Sequence, residues 1–217
     1  MSLKDDIALM QKEMIPNIPE KLLKMMMGAT EKLVKSGIAA RAKKTGDMAP
    51  AFSLKNSEGE EISSEKLLSK GPLVINFYRG SWCPYCNLEL KAFEDSAEKI
   101  RELGAELVSI SPELREKSAE FTGDNPFSFQ ILSDEGNDVA GRFGLVFTLV
   151  EELRAIYNQF GIDLQEYNGN NSYELPMPAT YVLGRDGLIV HAFVDADYTK
   201  REEPEAVVKV LQKIRVS

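Results

Sequence analysis

The chain has 217 residues, 43% of them hydrophobic and 28% charged, with a formal net charge of −8. That length and apolar share suffice for one packed domain plus an appendage, and the acidic balance excludes non-specific nucleic-acid binding, which needs basic surface to displace counterions from phosphate. No apolar run reaches the roughly 18 residues a membrane span needs, and Met1-Ser2-Leu3-Lys4-Asp5-Asp6 lacks the charged-then-apolar layout of a secretory leader, so the expected location is the cytoplasm.

The first segment differs from the rest: up to Pro50 there are nine Lys/Arg against six Asp/Glu in an otherwise acidic chain. Ile7, Met10 and Met14, then Ile18, Leu22, Met25, Met26 and Leu33, recur at helical spacing, which predicts two short helices broken by Pro16 and Pro19. Met25-Met26-Met27 reads as a flexible apolar helix face packed on the body or on a second subunit, since Met fills irregular gaps. Arg41-Ala42-Lys43-Lys44 is a short solvated linker. The expected division is a helical extension over residues 1–45 and a domain over 46–217.

From Gly46 the pattern alternates between strand and helix. Asn56-Ser57-Glu58-Gly59 is a turn between Phe52-Ser53-Leu54 and Glu61-Ile62-Ser63. Pro72-Leu73-Val74-Ile75-Asn76-Phe77-Tyr78 reads as a strand buried on both faces. After Cys83-Pro84-Tyr85-Cys86, the residues Leu88, Leu90, Phe93, Ala97 and Ile100 keep helical periodicity, and Glu106-Leu107-Val108-Ser109-Ile110 is the next strand, which completes a right-handed βαβ unit. Phe129 to Leu132 and Thr180 to Leu183 are further strands; Gly184-Arg185-Asp186-Gly187 turns into Leu188 to Phe193, and Pro204 to Ile214 closes as a helix. Between Phe143 and Pro176 a helix-like stretch from Leu149 to Phe160 gives way to Asn168-Gly169-Asn170-Asn171. That length indicates an insertion flanking a site.

The chemistry concentrates in the only two cysteines, Cys83 and Cys86. A C-x-x-C beside a βαβ pattern reads as a redox dithiol. With no third Cys and one His, His191, a closed zinc site cannot be completed from thiols and imidazoles, so no metal and no cofactor are expected. The alternative is two small core hydrophobes. At a strand-to-helix junction the first sulfur stands at the helix N-terminus, where unpaired N–H groups and the dipole favour a thiolate. Cys83 is therefore expected to be the more acidic and more exposed thiol, with Cys86 one turn in as the resolving thiol. Attack by Cys83 on a peroxide or disulfide, followed by closure with Cys86, leaves a disulfide that a separate reductant must reopen.

Neighbouring residues would shape this site. Trp82, the only tryptophan, reads as a wall that shields the thiol. Arg79 either stabilises a thiolate and polarises a peroxide oxygen or is a solvated surface arginine. Pro178 stands at the entry of a predicted core strand, where a cis peptide would aim the backbone of Met177 at an extended substrate. His191 is read as structural.

Asp47-Met48-Ala49-Pro50-Ala51-Phe52, Phe77-Tyr78-Arg79-Gly80-Ser81-Trp82-Cys83-Pro84-Tyr85-Cys86 and Pro178-Ala179-Thr180-Tyr181 together resemble the peroxiredoxin-like branch of the alkyl hydroperoxide reductase/thiol-specific antioxidant family, from about Gly46 onward. The resemblance implies an α/β thioredoxin fold, a central mixed sheet flanked by helices, and antioxidant thiol chemistry. In the family's Pro-x-x-x-Thr-x-x-Cys register, Cys86 takes the peroxidatic position, while Cys83, Arg79 and Pro178 replace the Thr, the Pro and the distant Arg. In the thioredoxin register, Trp82-Cys83-Pro84-Tyr85-Cys86 is the W-C-x-x-C motif and Cys83 the nucleophile. Phe77 there replaces the buried acid, which leaves Glu89 as the candidate proton acceptor for Cys86.

The expected function is that of a thiol oxidoreductase cycling Cys83 and Cys86, with a hydroperoxide or a protein disulfide as substrate and a thioredoxin or glutathione system as reductant. No nucleic-acid or membrane partner is expected, and the apolar N-terminal helices favour a homodimer. A rival from another class is a redox sensor whose disulfide state controls association through those helices; deleting residues up to about Lys44 would discriminate the two.

Overall fold

The computed structural model describes residues 2–215. Helix α1, Leu3–Met14, opens on a capping box in which Ser2 and Asp5 each accept from the other's backbone N–H. A single tight turn over Ile15–Asn17, with Pro16 inside it, separates α1 from α2, Glu20–Lys35, which starts after Pro19 and ends before Gly37 at φ 70°. The prolines thus break the run where the sequence predicts, because neither can supply a mid-helix N–H.

The domain begins with a hairpin of β1, Ser53–Asn56, and β2, Glu61–Ser63. The Asn56 side-chain oxygen closes its turn by accepting from the N–H groups of Glu58 and Glu60 at 3.1 and 2.8 Å. There follow α3, Ser64–Lys70; β3, Leu73–Phe77; α4, Pro84–Glu102; β4, Glu106–Ser111; α5, Arg115–Asp124; β5, Gln130–Ser133; and α6, Asp138–Arg142. The insertion holds a separate two-stranded ladder of β6, Val146–Thr148, and β7, Glu174–Pro176, enclosing α7, Glu151–Gln159, and α8, Leu164–Asn168. The chain closes with β8, Ala179–Leu183, β9, Ile189–Val194, and α9, Pro204–Arg215.

The main sheet has strand order β2-β1-β5-β4-β3-β8-β9, with β3, β4 and β5 parallel and the remaining pairs antiparallel. Helices cover both faces, the thioredoxin-type arrangement that the sequence motifs imply. Every residue of β3 is buried because it is the third strand from one edge and is packed on both sides. Leu73, Ile75 and Phe77 join Leu67, Phe143, Leu145 and Tyr181 on one face, while Val74, Leu107 and Val182 meet Phe93 and Ile100 of α4 and Val207, Val208 and Leu211 of α9 on the other. Helix α4 buries Cys86, Leu90, Phe93, Ala97 and Ile100, the three- and four-residue spacing of one face. That face drives α4 onto the sheet and carries both cysteines into the core.

Candidate active site

Cys83 is the N-cap of α4, Pro84 is its first residue and Cys86 follows within the first turn. Proline suits that place because its missing N–H would be unpaired there anyway. The loop from Arg79 to Trp82 leaves the C-terminal end of β3, as parallel-strand sites generally do. Gly80 has φ 151°, and a Cβ on it would collide with the Trp82 indole, so only glycine lets this loop fold the ring back on itself.

Both cysteines are free thiols, and both are buried: Cys83 is 1% exposed and Cys86 0%. The expectation of an exposed Cys83 is therefore corrected. The cover comes from elements far away in sequence: Leu3 and Ile7 of α1, with Met10 and Met14 partly buried beside them, share one apolar cluster with Tyr78, Cys83, Tyr85 and Cys86. A groove of about 390 Å³ between the N-terminal helices and the loop around Tyr198, with Met14, Met26, Tyr85 and Tyr198 in its walls, lies against this cover.

Each sulfur faces a buried guanidinium. Arg79 Nη1 lies 3.9 Å from Cys83 Sγ and Nη2 donates to the Tyr157 hydroxyl. Its guanidinium carbon stands 4.4 Å from the ring centre of Tyr198, 5.0 Å from that of Trp82 and 5.7 Å from that of Tyr157. An aromatic cage of this kind holds a cation in a dry site without neutralising it. Arg201 Nη2 lies 3.4 Å from Cys86 Sγ, and its Nε stands 2.8 Å from Glu89 Oε2. The Glu89–Arg201 contact is ionic, without the alignment of a good hydrogen bond. Arg201 also donates to the carbonyls of Tyr198 and Lys200.

These charges split the two thiols. Burial alone raises Cys83, but the hydrogen bond from Cys86 and the attraction of Arg79 and Arg201 outweigh it and bring the thiol down to about 5. Burial pushes Cys86 well above the ordinary thiol range, and the neighbouring Cys83 thiolate pushes it further. Burial also lifts Glu89 to about 8 against the pull of Arg201. At 2.8 Å from a guanidinium nitrogen, the carboxylate is nonetheless the form that fits the geometry. Below Glu89, three adjacent strands place Asn76, Ser109 and Thr180 side by side, linked at 3.3 and 3.5 Å.

The structure thus brings Arg79, Trp82, Cys83, Cys86 and Glu89 together. Pro178 lies at the β7–β8 junction, and the cis peptide expected there is absent: no described peptide bond is cis. Met177 N–H donates to Leu145 at 2.9 Å and Ala179 pairs with Phe77, so the chain runs extended from one ladder into the other and a trans bond serves. His191 is bonded to Glu202 at 2.6 Å. Arg201, Tyr157, Tyr198 and Glu113 are site residues that sequence reasoning missed. Tyr157 comes from the insertion, whose unusual length was the one signal available for it. No group of three or more His, Cys, Asp or Glu able to hold a metal occurs among the described residues.

A family model described as the AhpC/TSA family matches residues 45–192. "Peroxiredoxin Q, chloroplastic" of Sedum lineare is 32% identical over 183 residues, 84% of this chain and 85% of the relative. The protein of the same name from Suaeda salsa is 31% identical over 180 residues, 83% and 72% of the two chains. Among solved structures, peroxidoxin BcpB from Mycobacterium tuberculosis superposes with a TM-score of 0.62 at 26% identity, covering 79% of this chain and 97% of that one. The relatives from Sedum lineare and Suaeda salsa are named chloroplastic, which overturns the cytoplasmic placement expected from the sequence. Charge and apolar patterning of a folded domain carry no address, because targeting is read from separate segments.

Proposed function

The chain belongs to the AhpC/TSA family and is a thiol oxidoreductase of the hydroperoxide-reducing kind, and on that premise we propose that Cys83 attacks first and Cys86 resolves. The carrying observation is the opposite displacement of the two thiols, Cys83 down beside Arg79 and Cys86 up in the core. Arg79 would hold the attacking thiolate and offer N–H groups to the peroxide. Nucleophilic attack on the O–O bond makes a Cys83 sulfenic acid and releases water or an alcohol; Cys86 then displaces hydroxide to close the disulfide, and a thioredoxin-type reductant reopens it. α1 covers both sulfurs in this state, so a small hydroperoxide reaches Cys83 more readily than a protein disulfide, and the protein reductant needs the α1 cover to shift before it reaches the Cys83–Cys86 disulfide. The division into an extension over residues 1–45 and a domain over 46–217 is part of this proposal, supported by the family match beginning at residue 45.

The pH dependence tests the assignment. The thiolate is the reactive form, so a depressed Cys83 keeps the peroxide rate level above about pH 6 and loses about tenfold per unit as pH falls through about 5. Stopped-flow oxidation by hydrogen peroxide from pH 4 to 9 reads this directly. A rate that instead climbs through pH 8 to 9 would assign the attack to an ordinary or raised thiol.

We extend the proposal to a homodimer through α2, because Met27 and Val34 remain 64% and 45% exposed on one helix. Sedimentation equilibrium is expected to give twice the chain mass for the wild type and the chain mass for Met27→Glu. A monomeric wild type at micromolar concentration would remove the dimer from the scheme.

A further inference from the structure

Closing the disulfide requires Cys86 to lose a proton inside the core, and two buried carboxyls flank it. Glu89 is engaged by Arg201. Among the described residues no guanidinium engages Glu113: its Oε1 accepts from the Ser81 hydroxyl at 2.7 Å, and its Oε2 is buried without a hydrogen-bond partner. The Tyr78 and Ser111 hydroxyls are likewise buried with no well-formed hydrogen bond. All three groups sit where parallel β3 and β4 end side by side, Tyr78 N–H donating to Ile110 at 3.0 Å. A buried polar atom left unpaired is costly, and several such atoms at one place beside a reactive dithiol call for a functional explanation.

We propose that Glu113 exchanges the proton of Cys86, accepting it when the disulfide closes and returning it when a reductant opens the disulfide. The inference rests on the Cys83-first reading. In closure the Cys86 S–H bond breaks and its proton passes to Glu113, the S–S bond forms, the S–O bond of the Cys83 sulfenic acid breaks, and the leaving hydroxide becomes water by taking a proton from solvent. In reduction the thiolate of a dithiol reductant attacks Cys83 Sγ, the Cys83–Cys86 bond breaks, Cys86 leaves as a thiolate to which Glu113 returns a proton, and the reductant's second thiol releases Cys83 by closing the reductant's own disulfide.

The electrostatics run in the required direction. Burial lifts Glu113 to about 7, hydrogen bonds from Ser81 oppose the lift, negative charge on Cys86 adds to it and Lys117 draws it down. Loss of the Cys86 proton therefore strengthens the hold of Glu113 on one. Tyr78 feels both charges, that of Glu113 more than that of Cys86. Arg79, Arg201 and Glu89 are the other charges around Cys86. Ser81 is also held from the α4 side, its carbonyl accepting from Asn87 at 2.8 Å, so Glu113 and α4 together clamp the loop that carries Cys83.

The test separates proton exchange from clamping. Trp82 fluorescence follows the first oxidation and the later closure as two phases in stopped flow, and dimedone trapping with peptide mapping locates the sulfenic acid. Glu113→Gln keeps an acceptor for Ser81 but cannot exchange a proton; its closure rate is expected to fall about tenfold or more and to lose its inflection near pH 7. Ser81→Ala, which removes the clamp and one hydrogen bond that holds Glu113 down, is expected to keep an inflection, displaced to higher pH. Closure of Glu113→Gln at the wild-type rate with its inflection intact overturns the proposal, as does an inflection lost in Glu89→Gln and kept in Glu113→Gln. A sulfenic acid mapped to Cys86 overturns the Cys83-first reading and this inference with it, whereas a normal Cys83 sulfenic acid with unaltered closure overturns this inference alone.

Discussion

Cys83→Ser is expected to lower the second-order rate of peroxide reduction by roughly a thousandfold or more, because a serine hydroxyl cannot ionise near neutrality and no base beside it is placed to activate it. Cys86→Ser, in contrast, is expected to leave the first oxidation within a few-fold of wild type and to stop the cycle at the sulfenic acid, with one turnover per chain. The physical basis is ionisation. A thiol brought to about 5 is almost wholly thiolate at pH 7, against the few per cent of an ordinary thiol near 8.5, a gain of about thirtyfold in reactive species before any stabilisation of the transition state. The family's Pro-x-x-x-Thr-x-x-Cys register would have Cys86 attack, but burial and the neighbouring Cys83 thiolate push its thiol the other way. Peroxide stopped flow on both variants decides the matter, since loss of the first oxidation in Cys86→Ser with survival in Cys83→Ser would reverse the roles.

Arg201→Met is expected to destabilise the fold by about 3 kcal/mol at neutral pH, since removing one member of a buried ion pair strands the other. Arg201 and Glu89 side chains are each 1% exposed, so water cannot take the place of the lost partner. Glu89 escapes part of the cost by taking a proton, which its burial already favours. The sign of the pH dependence follows. In the variant, Glu89 has a folded-state pKa above its unfolded value, so its contribution is fully present below the unfolded value and is lost as pH rises through the folded one. The penalty of Arg201→Met is therefore expected to be smaller at pH 6 than at pH 8, and Glu89→Gln on the same background to recover most of it at pH 8. Urea unfolding at the two pH values measures both effects. Equal penalties at both would mean that Glu89 is not stranded as a charge.

The fold was largely readable from the sequence because its elements announce themselves locally. The apolar run Leu73–Phe77, the helical spacing from Leu88 to Ile100 and the prolines at 16 and 19 are short-range signals with direct backbone consequences. The insertion was harder. Its pieces are short, and Val146–Thr148 and Glu174–Pro176 pair only because the chain between them folds back, a contact no local pattern encodes. Similarly, Pro178 invited a cis bond that the neighbouring ladders make unnecessary.

That Cys83, Cys86, Trp82 and Arg79 lie together follows from their place within eight consecutive residues at one strand-to-helix junction, whose backbone amides favour an anion. Which thiol ionises depends on the tertiary structure. Arg201 reaches Cys86 from 115 positions away and Tyr157 reaches Arg79 from 78, while α1 folds over both sulfurs and excludes water. Local sequence determines where a reactive pair sits and what surrounds it along the chain. Its ionisation depends on burial and on charges brought through space, and only the packed fold supplies those.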